Sequence, residues 1–365
     1  MSGMKVLVTG STGFLGGYVL EELVENGYEV RATDLPKSDF SIAEKLGVEI
    51  TYSDLLDYDS VRKVMKGMDA VIHLGGIFRI GGERRLLFDV NVRGTENACR
   101  AACAEGISRF VHFSTVAIYA RPERIPIDEE GKVGPHDTYG MTKWWGERVA
   151  LRYNRDEGLP VVRIRPTVVY GPRGKYVASL IFAGGMIPRY HGLKRFRLFS
   201  GGLHCSWVHA SDVAGAAVYL LGKEDAVGKA FNIADDTPVQ ASEMLRMMLE
   251  MYGIEVEERI KYYDQIADPL IKLLSRVPEF VDNLVNRRLQ RFWDRVVIEY
   301  GLEPTLEPTF SKHFMLFFAK DMAISNARLK EAGYKVKHPD FRKGFWETVA
   351  WYREKNWIPD ISSVA

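Results

Sequence analysis

The sequence predicts an α/β protein, a doubly wound parallel sheet with a smaller C-terminal α/β lobe. Three observations predict it. Residues 5–25 read as a strand, a glycine turn and a helix. Short β-rich apolar runs then alternate with helical stretches as far as Val161 to Arg165, and Pro166 to Pro172 break that alternation with proline and glycine. The 365 residues are enough for one large α/β domain with an added lobe, or for two domains. Lys and Arg number 49 against 48 Asp and Glu, so no global charge favours a nucleic-acid partner. Cys99, Cys103 and Cys205 cannot build a disulfide framework, and a reducing, cytoplasmic compartment is expected. The first strand begins almost at the N-terminus, so no signal peptide is expected, and no apolar run reaches the roughly 18 residues of a membrane span.

Lys5 to Thr9 is the first strand, Gly10 to Gly13 a small-residue turn, and Phe14 to about Asn26 a helix closed by Gly27. Gly10, Gly13 and Gly16 let the chain turn sharply and approach a ligand closely, and the free N–H groups at the helix start then face a pyrophosphate. A second strand, Glu29 to Thr33, ends at Asp34, where an acid accepts hydrogen bonds from an adenosine ribose and repels a 2′-phosphate, so NAD is expected rather than NADP. The third strand, Val48 to Tyr52, runs into Asp54 and Leu55, and the fourth, Asp69 to His73, into Leu74, Gly75 and Gly76. Both sets lie at carboxyl ends of strands, where α/β sheets bind ligands. His73 is read as a packed or hydrogen-bonded residue, because no second metal ligand is spaced beside it.

Asn91 to Glu105 reads as a helix, and Arg109 to Phe113 as a fifth strand that delivers Ser114 and Thr115. Tyr139 and Lys143 stand four apart at the start of another helix, sharing a face at about 5–6 Å between their β-carbons. An ammonium there, with an oxidised nicotinamide nearby, is expected to lower the tyrosine pKa and make it a general base at neutral pH. After the sixth strand the chain leaves the sheet at Pro166. Trp207 to Val213 and Lys229 to Ala234 read as a return toward it. His204, Cys205 and His209 are given a structural role, because a strand places His204 opposite the other two; no metal is expected.

With Thr9 to Gly16, Asp34, Thr115, Tyr139-x-x-x-Lys143, Arg165-Pro166-x-x-Val169-Tyr170-Gly171-Pro172 and Trp207-Val208-His209-x-x-Asp212 in this order, the chain resembles the extended short-chain dehydrogenase/reductases of the NAD-dependent epimerase/dehydratase superfamily. The resemblance implies a Rossmann-like domain over 1–172 and 201–235, a substrate lobe over 173–200 and 236–365, and bound NAD. It makes Tyr139 the acid/base and Lys143 the group that holds the nicotinamide ribose. Thr115 binds the substrate oxygen, with Ser114 as the substitute that fits the family position less well. Gly10, Thr12, Gly13, Phe14, Leu15 and Gly16 are implied around the pyrophosphate. Asp34 falls at the ribose, Asp54, Leu55, Leu74, Gly75 and Gly76 at the adenine and pyrophosphate, and Pro166 at the nicotinamide, with Val169 also in the cofactor site. A homodimer through the helices around Asn91 to Glu105 and Tyr139 to Arg152 is the family expectation. Sugar-nucleotide dehydratases of this kind follow the threonine with Asp-Glu, whereas Val116 and Ala117 follow Thr115, which argues against dehydration.

Phe280, Val281, Leu284, Val285, Leu289, Phe292, Trp293, Val296 and Val297 form a helical stripe flanked by Arg287, Arg288, Arg291 and Arg295, and Asp264 to Val277 supplies a second apolar run. The stripe reads as packing on the substrate lobe, with a peripheral membrane contact through 266–297 as the alternative. The insertion and the sequence from Asp321 to Tyr334 resemble the 3β-hydroxysteroid dehydrogenase and sterol-4α-carboxylate dehydrogenase branch. That branch implies oxidation of a secondary alcohol on a steroid, sterol or terpenoid-like substrate, with loss of CO₂ where a β-keto acid forms. A nucleotide-sugar 4-epimerase using Arg189, Arg195 and Arg197 for a diphosphate is the alternative, and a non-catalytic dinucleotide-binding protein the third reading.

Overall fold

The computed structural model describes residues 3–78, 83–261, 279–310 and 321–361. Six strands follow the order read from the sequence: β1 Lys5–Thr9, β2 Glu29–Asp34, β3 Glu49–Tyr52, β4 Ala70–His73, β5 Arg109–Phe113 and β6 Val161–Pro166. Four short strands, β7 Val168–Tyr170, β8 Arg195–Ser200, β9 His204–Cys205 and β10 Trp207–His209, precede β11 Ala230–Ile233; β12 Val239–Gln240 and β13 Glu255–Lys261 come last. The main sheet has the order β11-β6-β5-β4-β1-β2-β3, and every pairing in it is parallel. Strand order reverses between β1 and β4, which opens a crevice at the carboxyl ends of those two strands.

Alternation along the strands builds two apolar layers. Val6, Val8, Ala32, Ile72, Val111 and Ile164 face the Phe14–Glu25 and Ala210–Leu221 helices, while Leu7, Val71, Phe110 and Val161 face the Tyr58–Met65 and Thr95–Ala104 helices. Both faces are covered, as a parallel sheet requires. A second apolar core gathers Phe182, Met186, Trp207, Met247, Tyr252, Trp293, Val296, Phe341, Phe345 and Tyr352.

Two expectations need correction. Asn91 to Glu105 is not one regular helix: Asp89–Gly94 is a π-helical turn, and the α-helix runs Thr95–Ala104. The widened turn lets the Asn91 side chain bond outside its own helix, and the Asn91 carbonyl is approached closely by Gly146. Trp207 to Val213 does not return to the main sheet: β10 pairs only with β7, in a separate ladder, and Ala210 already begins a helix capped by His209. Ala230–Ile233 does join the sheet, at its edge beside β6. The Phe280 to Val297 stripe lies on a Glu279–Tyr300 helix. Trp293 and Val296 are buried in the second core and Leu289, Phe292 and Val297 pack against it, in keeping with the packing expected of the stripe, whereas Leu284 and Ile298 are exposed on the side that carries Arg287, Arg288, Arg291 and Arg295. Asp264 to Val277 lies outside the described residues, and no described helix is long and apolar enough to cross a membrane.

Candidate active site

A cavity of about 360 Å³ opens at the carboxyl ends of β1, β4, β5 and β6. Its floor is the glycine turn. Gly10 has φ +69°, and a β-carbon there would lie 2.8 Å from the Gly75 nitrogen; one at Gly16 would collide with the carbonyl oxygens of Gly10 and Ser11. The helix that follows has Gly13 at its N-cap and no side chain bonded to its first turn, so the positive end of the helix meets the cavity at Phe14 and Leu15. This cradle fits a dinucleotide pyrophosphate.

Of the residues expected at the site, Gly10, Gly13, Phe14, Leu15, Gly16, Leu74, Gly76, Thr115, Tyr139, Lys143, Pro166 and Val169 line the cavity, and so does Ser114. Thr12, Asp34, Asp54, Leu55 and Gly75 do not. The Thr12 hydroxyl donates to Asp34 Oδ2 at 2.6 Å, joining the glycine turn to the end of β2. Gly75 N–H donates to Thr9 Oγ1 at 3.2 Å, and the Leu55 side chain packs against Gly75 and Gly94, so these residues brace the turn from behind. Asp54 accepts from Leu56 N–H at 2.9 Å, in an exposed loop.

Tyr139 and Lys143 sit in the first turns of the Thr138–Asp156 helix, capped by Asp137, whose Oδ1 accepts from Gly140 N–H at 2.7 Å. Tyr139 is not held below its ordinary pKa by the protein. Burial pushes it up, the Asp137 carboxylate pushes it further, and the Thr115 hydroxyl opposes both. Lys143 is itself buried, which brings it down to about 8 against the upward pull of Glu147. Glu147 lies one turn further along. Burial works against its charge, but Arg165 at 2.5 Å and Arg163 at 3.0 Å keep it below the usual carboxylate range.

Sequence reasoning missed two residues at this site. Asn91, fully buried, accepts from Ile77 N–H at 2.7 Å and donates to the Ile77 carbonyl at 3.1 Å and to Thr142 Oγ1 at 3.0 Å. It thereby ties the loop after β4 to the Tyr139 helix. An Asn and a Gly inside an otherwise Ala-rich helical stretch were the available signal. Asp137 is the other, visible only as a cap residue two positions before Tyr139. His73 is packed as expected, with Nδ1 2.8 Å from Thr9 Oγ1 and its ring stacked on His112 at 5.8 Å; burial takes it down to about 3.

His204 bonds to Asp321 at 3.2 Å, away from His209. The described residues do bring His209, Asp212 and His338 together, with ligand-type atoms within 4.8 Å of one another. The two imidazoles stack at 4.0 Å, which keeps their lone pairs in near-parallel planes, and Asp212 already accepts from Lys337 N–H at 2.5 Å and from His338 N–H and Nδ1, each at 2.9 Å. The cluster is a structural knot joining two segments. Arg189, Arg195 and Arg197 lie outside the cavity, and Arg195 pairs with Glu255 at 2.8 Å.

Residues 6–234 match the model of the NAD dependent epimerase/dehydratase family. A 3 beta-hydroxysteroid dehydrogenase/Delta 5-->4-isomerase of Mycobacterium tuberculosis is 27% identical over 345 residues, 91% of this chain and 86% of that protein. Sterol demethylase protein B of Methylococcus capsulatus is 27% identical over 361 residues, 97% and 100% of the two chains. An uncharacterized protein of Sinorhizobium fredii is 31% identical over 222 residues, where this chain spans 59% of itself and 55% of that protein. The crystal structure of gox2253 shares the fold, with a TM-score of 0.73 at 23% identity over 97% of this chain and 99% of that one.

Proposed function

Because the chain belongs to the NAD dependent epimerase/dehydratase family, we propose that it is an NAD-dependent dehydrogenase/reductase that interconverts a secondary alcohol and a ketone on a hydrophobic, steroid- or terpenoid-like substrate. One observation carries the choice of substrate. The cavity beyond the glycine turn is walled by Ile77, Phe78, Val116, Ala117, Val168, Val169, Tyr170 and Tyr176, and among the described residues Lys143 is the single cation lining it. Among the described residues a diphosphate would meet the Asp137 carboxylate and no arginine; an apolar ring system meets matching surface.

In this reading Gly10, Gly13, Gly16 and the first helical turn hold the pyrophosphate. Asp34, with Thr12 bonded to it, lies at the adenosine ribose; Asp54, Leu55, Leu74, Gly75 and Gly76 surround the adenine and pyrophosphate; Pro166 and Val169 flank the nicotinamide. NAD, when bound, accepts the hydride from the carbinol carbon and in its reduced form returns it to a ketone. Thr115 holds the substrate oxygen, and Tyr139 takes the hydroxyl proton as phenolate or gives it back as phenol. Lys143 grips the ribose, and the oxidised cofactor's positive charge would offset the upward push that burial and Asp137 exert on Tyr139.

The test is the purified protein with NAD and a panel of hydroxysteroids, carboxysterols and UDP-sugars, followed by NADH absorbance and by sugar isomer composition. NADH is expected with an apolar alcohol, and Tyr139→Phe should lower the rate by about 100-fold or more. Inversion of a UDP-sugar without NADH release would replace this function with a 4-epimerase.

Two partner readings accompany it. A second copy of the chain docks against Leu86, Phe88, Met141 and Trp145, large apolar side chains left exposed on the Arg84–Phe88 and Thr138–Asp156 helices. The arginine face of the Glu279–Tyr300 helix, with exposed Leu284 and Ile298 on it, rests on an anionic membrane surface that supplies the apolar substrate.

A further inference from the structure

Two aromatic rings stand at the rim of the cavity and remain exposed. Phe78 is 41% and Tyr176 67% accessible, and both line the cavity. The Phe78 ring meets the Tyr139 ring edge to face at 4.9 Å and the Tyr176 ring at 6.0 Å, so the three form a continuous aromatic edge leading to the Tyr139 hydroxyl.

Each ring follows a segment held by hydrogen bonds. Phe78 follows Ile77, whose N–H and carbonyl are both bonded to Asn91. Tyr176 follows a turn in which Arg173, at φ +70°, makes a bidentate pair with Glu21 at 2.8 and 2.7 Å. The Tyr18 hydroxyl donates to the Pro172 carbonyl at 2.8 Å, and the Tyr352 hydroxyl to the Gly174 carbonyl. An arginine in left-handed conformation costs energy and persists where its surroundings over-determine it. Aromatic faces positioned in this way bind a flat apolar ligand with little ordering cost.

We propose that Phe78 and Tyr176 form a clamp that takes the face of a planar, fused-ring apolar alcohol and holds its hydroxyl toward Tyr139 and Thr115, selecting such substrates over flexible linear alcohols. The proposal rests on the dehydrogenase reading and adds the shape of the substrate to it. A nucleotide base would also stack on these rings, but its phosphates would face Asp137 with no guanidinium among the described residues of the cavity lining.

The experiment uses Phe78→Ala, Tyr176→Ala and the conservative Phe78→Leu and Tyr176→Phe in the full-length protein saturated with NAD. Binding of pregnenolone, a fused-ring secondary alcohol, is measured by calorimetry, and kcat/KM is compared for pregnenolone and 2-octanol. Each alanine variant should lose about 10- to 100-fold in pregnenolone affinity and kcat/KM, with less than about 3-fold change for 2-octanol. Unchanged NAD affinity shows that the cofactor site is intact, and Tyr176→Phe should stay near wild type. Equal pregnenolone affinity in wild type and alanine variants, no pregnenolone binding by the wild type, or equal losses with 2-octanol would overturn the clamp. Pregnenolone binding that depends on both rings, with no NADH formed, would keep the clamp and reject the dehydrogenase.

Discussion

Asp137 caps the helix that carries Tyr139, and its carboxylate lies close enough to disfavour the phenolate. Burial and Asp137 both push Tyr139 upward, so they disfavour the base form needed for alcohol oxidation, which grows as pH rises. Asp137→Asn keeps an oxygen for the cap and removes the charge, so the tyrosine pKa falls. The acidic limb of the kcat/KM profile for oxidation should move to lower pH, and the rate at pH 7 should rise. Reduction, which uses the phenol as acid, should lose activity on the alkaline side first. Profiles in both directions check this, and an unmoved limb would mean that Asp137 acts as a cap alone.

At the scale of elements, the Thr138–Asp156 helix is locked to β6 by Glu147, which is fully buried between Arg163 and Arg165. Glu147→Ala leaves the buried Arg165 and the partly buried Arg163 without their carboxylate and should destabilise the fold by about 3–5 kcal/mol in denaturant unfolding. Glu147 is held below its ordinary pKa, so the stability it supplies is complete above the usual glutamate range. That stability is lost as pH falls through the depressed value. The Glu279–Tyr300 helix has a different outward chemistry, with Ile298 82% exposed on the arginine face. The protein should sediment with phosphatidylglycerol-containing vesicles and not with pure phosphatidylcholine, and about 0.5 M salt should release it. Arg288→Glu with Arg291→Glu should abolish the binding and leave NAD affinity unchanged; co-sedimentation that survives the double substitution would place any membrane contact elsewhere.

For the molecule as a whole, the exposed Leu86, Phe88, Met141 and Trp145 predict a second copy of the chain on that side of the sheet. Sedimentation velocity should give a dimer, and Trp145→Glu should shift it to monomer without loss of secondary structure. A monomeric wild type would leave those side chains to another partner. The assembly would also bury the outer surface of the helix that holds Tyr139 and Lys143, coupling subunit association to the rigidity of the site.

Strands β1 to β6 and the helix after the glycine turn were legible in the sequence to within about two residues, because each depends on local chemistry: apolar alternation, glycine at the turn, and a cap. The glycine cradle and the Tyr139–Lys143 pair were legible for the same reason, since their spacing in the chain sets their spacing on one element. Tertiary structure decided what long-range contacts control. The β7–β10 ladder stands apart from the main sheet because Trp207 and Tyr170 enter the second core. The π-helical turn at Asp89–Gly94 exists because Asn91 bonds across to Ile77 and Thr142. Tyr139 and Lys143 took their pKa directions from burial and Asp137 rather than from each other. The sequence therefore determined which groups stand at the site, through the short-range preferences of strand, turn and helix. Only packing decided their solvation, and with it their charge, because desolvation depends on every element that closes over them.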